Sequence, residues 1–352
     1  MRIVSMEKFD SNEKFDEFLK SNPTSLLFHS SRYICFLSSY LKCSNKTLIA
    51  VDDNDNLLGI LPLMEMTAKY GKVINSLPFY GSHGSVITRD PKVKRLLLTE
   101  YENITSQKNI LTSTYIETPF SDSEFFQNVS FPVDDIHVTT RIGQMTILPE
   151  TTNLGEAENK ILEMFHYKTR NMVKKAIKSN VEVVIDNNAF DFLYEVHVEN
   201  MENICGQPKP KRFFDMIKTH FQADLDYKIY TASIGKERIA ALLVFYFNET
   251  AEYFTPVIKH DFRNTQPLSL IIYKAMAESS LSGYRRWNWG GTWPTQESLH
   301  RFKSRFGTLD EKYHYYTKIN NTEVFDLQLN EIIKEYPNFY VVPYNLLKDF
   351  NE

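Results

Sequence analysis

Glycine and cysteine are scarce in this chain of 352 residues, and no long hydrophobic run interrupts it. Twelve glycines and no low-complexity tract argue against extended disorder. The three cysteines, Cys35, Cys43 and Cys205, form no CxxC pair, which excludes a disulfide framework and a cysteine zinc site. The longest apolar run, residues 239–247, is too short to span a bilayer, and residues 1–15 lack the apolar core of a signal peptide. We therefore expect a cytoplasmic protein with no transmembrane segment and at most a peripheral membrane contact.

The charge balance and the absent motifs narrow the function further. A net charge of −4 and a pI near 6.2 do not suit a protein that coats nucleic acid, so we expect no DNA partner. No Ser-His-Asp order, HExxH, Walker A sequence or paired zinc ligands occur, so neither a covalent nucleophile nor a metal is indicated. The length favours two domains, which we place at residues 1–150 and 151–352.

The chain contains an approximate internal repeat. Residues 47–66 and 230–248 each read as a short strand with a central alanine, a polar turn and a longer apolar strand. Similar helices precede both hairpins, and a third strand, a helix and a closing strand follow each of them. The order α-β-β-β-α-β therefore predicts two α/β (α+β) lobes, each a mixed, mostly antiparallel sheet flanked by helices.

The most informative segment is YRRWNWGGTWPTQESLHRFKSRFG, residues 284–307. A strand runs into Gly290 and Gly291, and a short helix then carries Lys303 and Arg305 beside aromatic residues. Glycines allow the backbone N–H groups to approach a ligand closely, and two cations can hold an anion near them. Asn288 alternates with Trp287 and Trp289, so it faces the opposite side of the strand.

This segment resembles the closing motif of the FemAB-like branch of the GNAT acyltransferases, the peptidoglycan interpeptide bridge type. The resemblance extends from about Ser25 to Tyr316 and implies two tandem GNAT-like lobes. It implies that Lys303 and Asn288 are catalytic, with Lys303 neutralising an oxyanion or a donor phosphate. It also implies that Gly290, Gly291 and Arg305 bind substrate. The alternative for Lys303 is a surface lysine on a C-terminal helix.

Further candidates for substrate binding lie elsewhere in the chain, each with an ordinary structural alternative. Lys168 and Arg170 begin a basic helix that either faces phosphates or is a solvated surface. Tyr80 and His83 lie in an aromatic and glycine-rich loop that either binds an acceptor or plugs a core, with His83 solvated.

The second lobe supplies the remaining candidates. Lys211 and Arg212 belong to a proline-stiffened basic loop, residues 205–212, whose lysines we expect to point outward. Tyr253 lies on the third strand of the lobe. Arg263 matches the start of the GNAT pyrophosphate loop, but Gln266 and Leu268 stand where that loop has glycine and a small residue.

These departures weaken coenzyme A as the donor and favour an aminoacyl-tRNA. The resemblance therefore implies an N-acyltransferase or aminoacyltransferase that forms an amide on a nucleotide- or lipid-linked precursor of a cell-wall or cell-surface glycan. No cofactor is expected to be bound permanently, because the acyl donor, aminoacyl-tRNA or acyl-CoA, is a co-substrate. His83, His260 and Asp261 remain open as the general base. Two alternatives are an acyl-CoA-dependent N-acyltransferase of an amino sugar and a non-catalytic module that binds an anionic glycan precursor.

Overall fold

The computed structural model describes residues 1–9, 11–79, 83–120, 128–130 and 135–347. The chain divides into two compact units. The first contains Met1–Ile142 together with Glu311–Glu352, and the second contains Gly143–Asp310.

The described helices and strands follow the predicted alternation. The helices are α1 (Asn12–Lys20), α2 (Ser31–Leu41), α3 (Pro91–Thr105), α4 (Leu154–Met164), α5 (Tyr167–Lys178), α6 (Phe190–Glu202), α7 (Lys211–His220), α8 (Pro267–Leu281), α9 (Glu297–Ser304) and α10 (Leu329–Glu335). The strands are β1 (Arg2–Ser5), β2 (Ser44–Asn45), β3 (Leu48–Val51), β4 (Leu57–Leu61), β5 (Met64–Ala68), β6 (Gly71–Asn75), β7 (Ile110–Ile116), β8 (Ile136–Ile147), β9 (Val181–Ile185), β10 (Tyr227–Ile234), β11 (Glu237–Phe247), β12 (Thr250–Ile258), β13 (Arg286–Thr292) and β14 (Leu309–Ile319).

The first unit combines a small antiparallel sheet with a mixed one. Strands β1, β3 and β4 form the small sheet, and β2, β5, β6, β7 and β14 pair in that order. The predicted long second strand is interrupted at Pro62, so β4 and β5 enter different sheets. Proline lacks the N–H that a ladder needs, which accounts for the break. Helix α3 begins at Pro91 behind the capping side chain of Asp90 and packs on the core.

The second unit has a simpler sheet. Strands β9 to β12 are antiparallel neighbours, and β13 joins β12 in parallel because α8 carries the chain back across the sheet. Helix α8 is apolar on most sides, and it is buried between the sheet and helices α4 and α5. In both units a helix therefore links two parallel strands, which confirms the predicted mixed, mostly antiparallel fold.

The boundary between the units differs from the predicted division after residue 150. The chain from Glu311 onward belongs to the first unit, because residues 315–319 of β14 pair with β7. The side chain of Asn75 then holds the backbone of Tyr340 through two hydrogen bonds of 2.7 and 2.9 Å. The sequence repeat gave no indication of this return.

Candidate active site

The sheet of the second unit opens between β12 and β13. Their parallel pairing runs from Thr250 opposite Arg286 to Glu252 opposite Asn288, and among the described residues it goes no further. Both strands nevertheless continue, to Ile258 and Thr292. Backbone groups on the facing edges therefore lose their ladder partners beyond this point, which we call the fork. An opening of this kind in a sheet can accept an extended ligand.

Glu252 and Asn288 lie side by side where the fork begins. Both side chains are buried, with 2% and 1% exposure. Burial raises the pKa of the Glu252 carboxyl to about 8, and the Asn288 amide opposes part of this rise. Oε1 of Glu252 and Nδ2 of Asn288 have no hydrogen-bond partner among the described residues. Two buried polar atoms without partners are costly, so this pair is a candidate for contact with a ligand.

Sequence reasoning selected Asn288 but missed Glu252. The available signal was a carboxylate within an otherwise apolar third strand, where a charged side chain must face either solvent or a site. Tyr253 was selected instead, but it lies on the other face of β12, half-buried against Trp289 with 4.9 Å between ring centroids. Burial raises its pKa as well. The structure therefore places Tyr253 in the core beside the fork.

Lys303 is buried, with 4% exposure, so the alternative of a surface lysine is excluded. Phe302 and Phe306 anchor its helix by packing on the core of the unit. Its Nζ donates to Oγ1 of Thr292 at 2.8 Å and to the carbonyl of Gly291 at 3.4 Å. Burial lowers the pKa of Lys303 to about 8, and the carboxylate of Asp310 opposes this shift. The lysine therefore lies against the end of β13.

The two glycines connect Asn288 with this lysine. Gly290 has a φ of +69°, and its N–H donates to Oδ1 of Asn288 at 2.9 Å. The sequence predicted a free backbone donor at Gly290, but this N–H has an acceptor within the same segment. Because Gly291 accepts from Lys303, one short segment positions both predicted catalytic side chains.

Gly290→Ala tests this segment. A left-handed φ costs an L-residue roughly 1–2 kcal/mol, and no heavy atom lies within 4 Å of the added Cβ. We expect urea denaturation to show this loss for Gly290→Ala and for the control Gly235→Ala, which has a φ of +59° and equally open surroundings in a hairpin turn. Only Gly290→Ala should also lower the transfer rate. Equal rates for the two variants would contradict a role for the segment.

The basic helix α5 meets the end of α9 through the backbone. The N–H of His166 donates to the carbonyl of Arg305 at 2.9 Å. The Arg170 guanidinium donates to the carbonyl of Phe165 at 2.6 Å, so this cation closes the end of α4 and has a structural role. Lys168 remains exposed on the first turn of α5, and Arg305 is half-buried.

The basic loop before α7 differs from the prediction at one residue. Lys211 is exposed and pairs with Asp191 at 3.0 Å, and Arg212 is exposed. Lys209 was expected to point outward, but it is only 7% exposed, with its ammonium within 6 Å of the Phe213 and Phe254 rings. Burial lowers its pKa to about 8. The apolar stem of lysine and the attraction of cations to aromatic rings favour this position.

In the segment before α8, Gln266 has the left-handed backbone conformation that a glycine would adopt in a phosphate-binding loop. Gln266 has a φ of +60° and its side-chain amide donates to the carbonyl of Arg263 at 3.0 Å. Arg263 itself is exposed, as are His260 and Asp261. Pro267 is buried at the first position of α8. The start of this helix therefore offers fewer backbone donors to a phosphate than a glycine loop would.

The corresponding opening in the first unit is occupied by the chain itself. Pairing of β6 with β7 ends at Asn75 and Thr114. Gly84 then donates to the carbonyl of Ile116 at 3.1 Å, and a Cβ on Gly84 would lie 2.5 Å from Oγ of Ser76. The chain is therefore packed tightly where the second unit has its fork.

The sequence placed two candidate acceptor-binding residues, Tyr80 and His83, in the first unit. His83 is fully buried between the rings of Phe28 and Tyr313, at centroid distances of 5.6 and 5.2 Å, so the expectation of a solvated histidine is wrong. Tyr80 lies outside the described residues.

Comparison with known proteins relates the fold of this chain to a family of transferases. Residues 165–304 match the model of the Acetyltransferase (GNAT) domain family. All of the matched residues lie within the second unit, and the match supports an acyltransferase activity. The match includes both strands of the fork and all of Lys303's helix. A search of curated proteins returned no match.

Solved structures extend the likeness to the whole chain. FemX is 12% identical with a TM-score of 0.72, and the alignment covers 93% of this chain and 99% of FemX. L-PGS from Bacillus licheniformis is 11% identical with a TM-score of 0.55, covering 92% and 95%. The C-terminal domain of a putative lysylphosphatidylglycerol synthetase from Agrobacterium fabrum is 10% identical with a TM-score of 0.55, covering 92% and 97%. The FemAB-like GNAT fold is thus confirmed. Among the described residues, no helix has the length and apolar character needed to cross a membrane.

Proposed function

We propose that this GNAT enzyme is a cytoplasmic N-acyltransferase or aminoacyltransferase that forms an amide on an amino group of a nucleotide- or lipid-linked glycan precursor. The observation that carries the proposal is the buried pair Glu252 and Asn288 at the opening of the fork. A carboxyl with a pKa of about 8 can accept a proton from an amine near neutral pH, which an exposed carboxylate does poorly.

In the proposed reaction the acceptor amine attacks the carbonyl of an activated ester or thioester directly. Glu252 takes the proton that the amine loses as the C–N bond forms. The C–O or C–S bond of the donor then breaks, and Glu252 returns this proton to the leaving oxygen or sulfur. Asn288 orients the reacting groups through its free amide N–H, and the Lys303 ammonium neutralises the oxyanion or a donor phosphate. No covalent enzyme intermediate is required.

The start of α8 bears on which acyl donor the enzyme uses. The side chain of Gln266 and the ring of Pro267 stand at the start of α8, where a coenzyme A pyrophosphate would need free backbone N–H groups. This arrangement favours an aminoacyl-tRNA. The resemblance of residues 284–307 to the FemAB-like closing motif implies the same donor class. The match to an acetyltransferase domain keeps acyl-CoA, with an amino-sugar acceptor, as the second candidate.

A thermal-shift titration with acetyl-CoA separates the two donors. A ligand at 100 times its Kd stabilises the folded protein by about 2.7 kcal/mol. We expect no such shift with acetyl-CoA. A saturable rise in melting temperature would favour the acyl-CoA alternative. Glu252→Gln is a useful companion protein, because binding without turnover can be measured in it.

Mass spectrometry of nucleotide-sugar and lipid-linked precursor pools, from cells with and without the protein, tests the reaction itself. We expect one precursor to gain the mass of an acyl or aminoacyl residue only when the wild-type protein is present. Lys303→Met provides the matched negative control. Binding of a precursor without any mass gain, under either donor, would instead support the non-catalytic binding module.

A further inference from the structure

A buried chain of hydrogen bonds in the second unit leads away from Lys303. Lys303 donates to Oγ1 of Thr292 at 2.8 Å, and that hydroxyl donates to Oε1 of Gln144 at 3.5 Å. Nε2 of Gln144 donates to Oδ1 of Asp310 at 3.1 Å. The side chains of Thr292 and Gln144 thus join a buried ammonium to a carboxylate at the start of β14.

At the far end of this chain, Asp310 contacts a histidine. Oδ2 of Asp310 lies 2.5 Å from Nε2 of His300, which precedes Lys303 by one turn of α9. Asp310 and His300 are partly exposed, whereas Gln144, Thr292 and Lys303 are buried. Thr308 donates to the same carboxylate at 3.2 Å. Three donors therefore hold Asp310 in one position.

The polarity of the chain makes Lys303 a hydrogen-bond donor to Thr292. Thr292 has a single hydroxyl proton and gives it to Gln144, so its oxygen can only accept from Lys303. The amide of Gln144 presents its oxygen to Thr292, and its nitrogen donates to Asp310 and to Ser304, each at 3.1 Å. The carboxylate of Asp310, at the other end of the chain, favours the charged form of Lys303.

We infer that Asp310, held by Gln144 and His300, is a positioning residue that keeps Lys303 protonated and directed at the end of β13. Among the described residues, the titratable groups that form the hydrogen bonds of this network are Lys303 and His300 on α9 and Asp310 on β14. The contacts from β8 and β13, Gln144 and Thr292, are uncharged. The effect of the Lys303 charge on the transfer reaction rests on the proposed function, but the charge itself can be measured without any substrate.

Competitive labelling with acetic anhydride, followed by mass spectrometry of the peptide that contains Lys303, measures its protonation between pH 6 and pH 11. In Asp310→Asn we expect the titration of Lys303 to move down by about half a pH unit or more, roughly a threefold loss of proton affinity. Asp310→Glu should restore most of the wild-type titration. Glu297→Gln, which removes an exposed acid from the first turn of the same helix, should leave it unchanged.

The outcomes distinguish this inference from the proposed function. An unchanged Lys303 titration in a folded Asp310→Asn protein would overturn the inference, whatever the enzyme transfers. A shifted Lys303 titration in Asp310→Asn would uphold the inference. If the wild-type protein also produces no mass gain in any precursor pool, the proposed function is rejected while the inference stands. A merely structural role for Asp310 predicts a lower melting temperature in Asp310→Asn and Asp310→Glu alike, with no change in the titration.

Discussion

We expect Lys303→Met to lower the transfer rate by about 100- to 1,000-fold while the protein stays folded. This magnitude is typical for the loss of one group that stabilises charge in the transition state. Methionine fills a similar volume without the charge, whereas Lys303→Ala would also leave a cavity. The initial rate of mass gain, measured at saturating precursor, checks the prediction.

The stability of this variant provides an independent readout. The pKa of Lys303 is about 8 in the folded protein and 10.5 in the unfolded chain, so the unfolded chain binds the proton more tightly. The contribution of Lys303 to stability therefore rises as the pH increases from about 8 to 10.5. Urea denaturation at several pH values should show this rise in the wild type and not in Lys303→Met. Lys236→Met, in an exposed turn, serves as the control. A wild-type rate in Lys303→Met would remove the lysine from the site.

Glu252→Gln should lower the rate by about 100- to 10,000-fold, the range typical for loss of a general base. Glutamine preserves the shape and one oxygen of the side chain but cannot accept the proton of the amine. The wild-type rate should rise with pH toward about 8, where the carboxyl ionises, and the variant should lack this rise. The measurement is a pH–rate profile under single-turnover conditions. A rate that depends on pH in the same way in both proteins would exclude Glu252 as the base.

The same substitution should make the protein more stable. The pKa of Glu252 is about 8 in the folded protein and 4.5 in the unfolded chain, so the folded protein holds the proton more tightly. The wild type therefore loses stability as the pH rises from about 4.5 to 8, by on the order of 3 kcal/mol at pH 7. Glutamine avoids this loss because it does not ionise. Glu182→Gln, an exposed acid on β9, should have no comparable effect.

Elements with a strong local pattern were predictable. The hairpin of β10 and β11 follows from alternating apolar residues around a polar turn, and the apolar α8 follows from its length and its flanking Pro267. Lys303 was selected as a candidate because residues 284–307, with two glycines followed by a cation beside aromatic residues, resemble a family motif. These features depend on neighbours within a few residues.

The remaining features depend on contacts that are distant in the chain. Glu252 meets Asn288 only because α8 returns the chain in parallel with β12. Lys209 is buried because two phenylalanines from different elements lie beside it. Arg170 looked like a ligand-binding cation, but it caps the end of the preceding helix.

The amino-acid sequence by itself determined the element order, the mixed sheet and the aromatic anchoring of Lys303's helix, because these arise from local periodicity and side-chain chemistry. The tertiary structure alone decided which strands separate, which carboxyl is buried and which residues surround Lys303. Burial and the electric field of neighbouring groups set the pKa of Glu252 and of Lys303, and neither exists until the chain has folded.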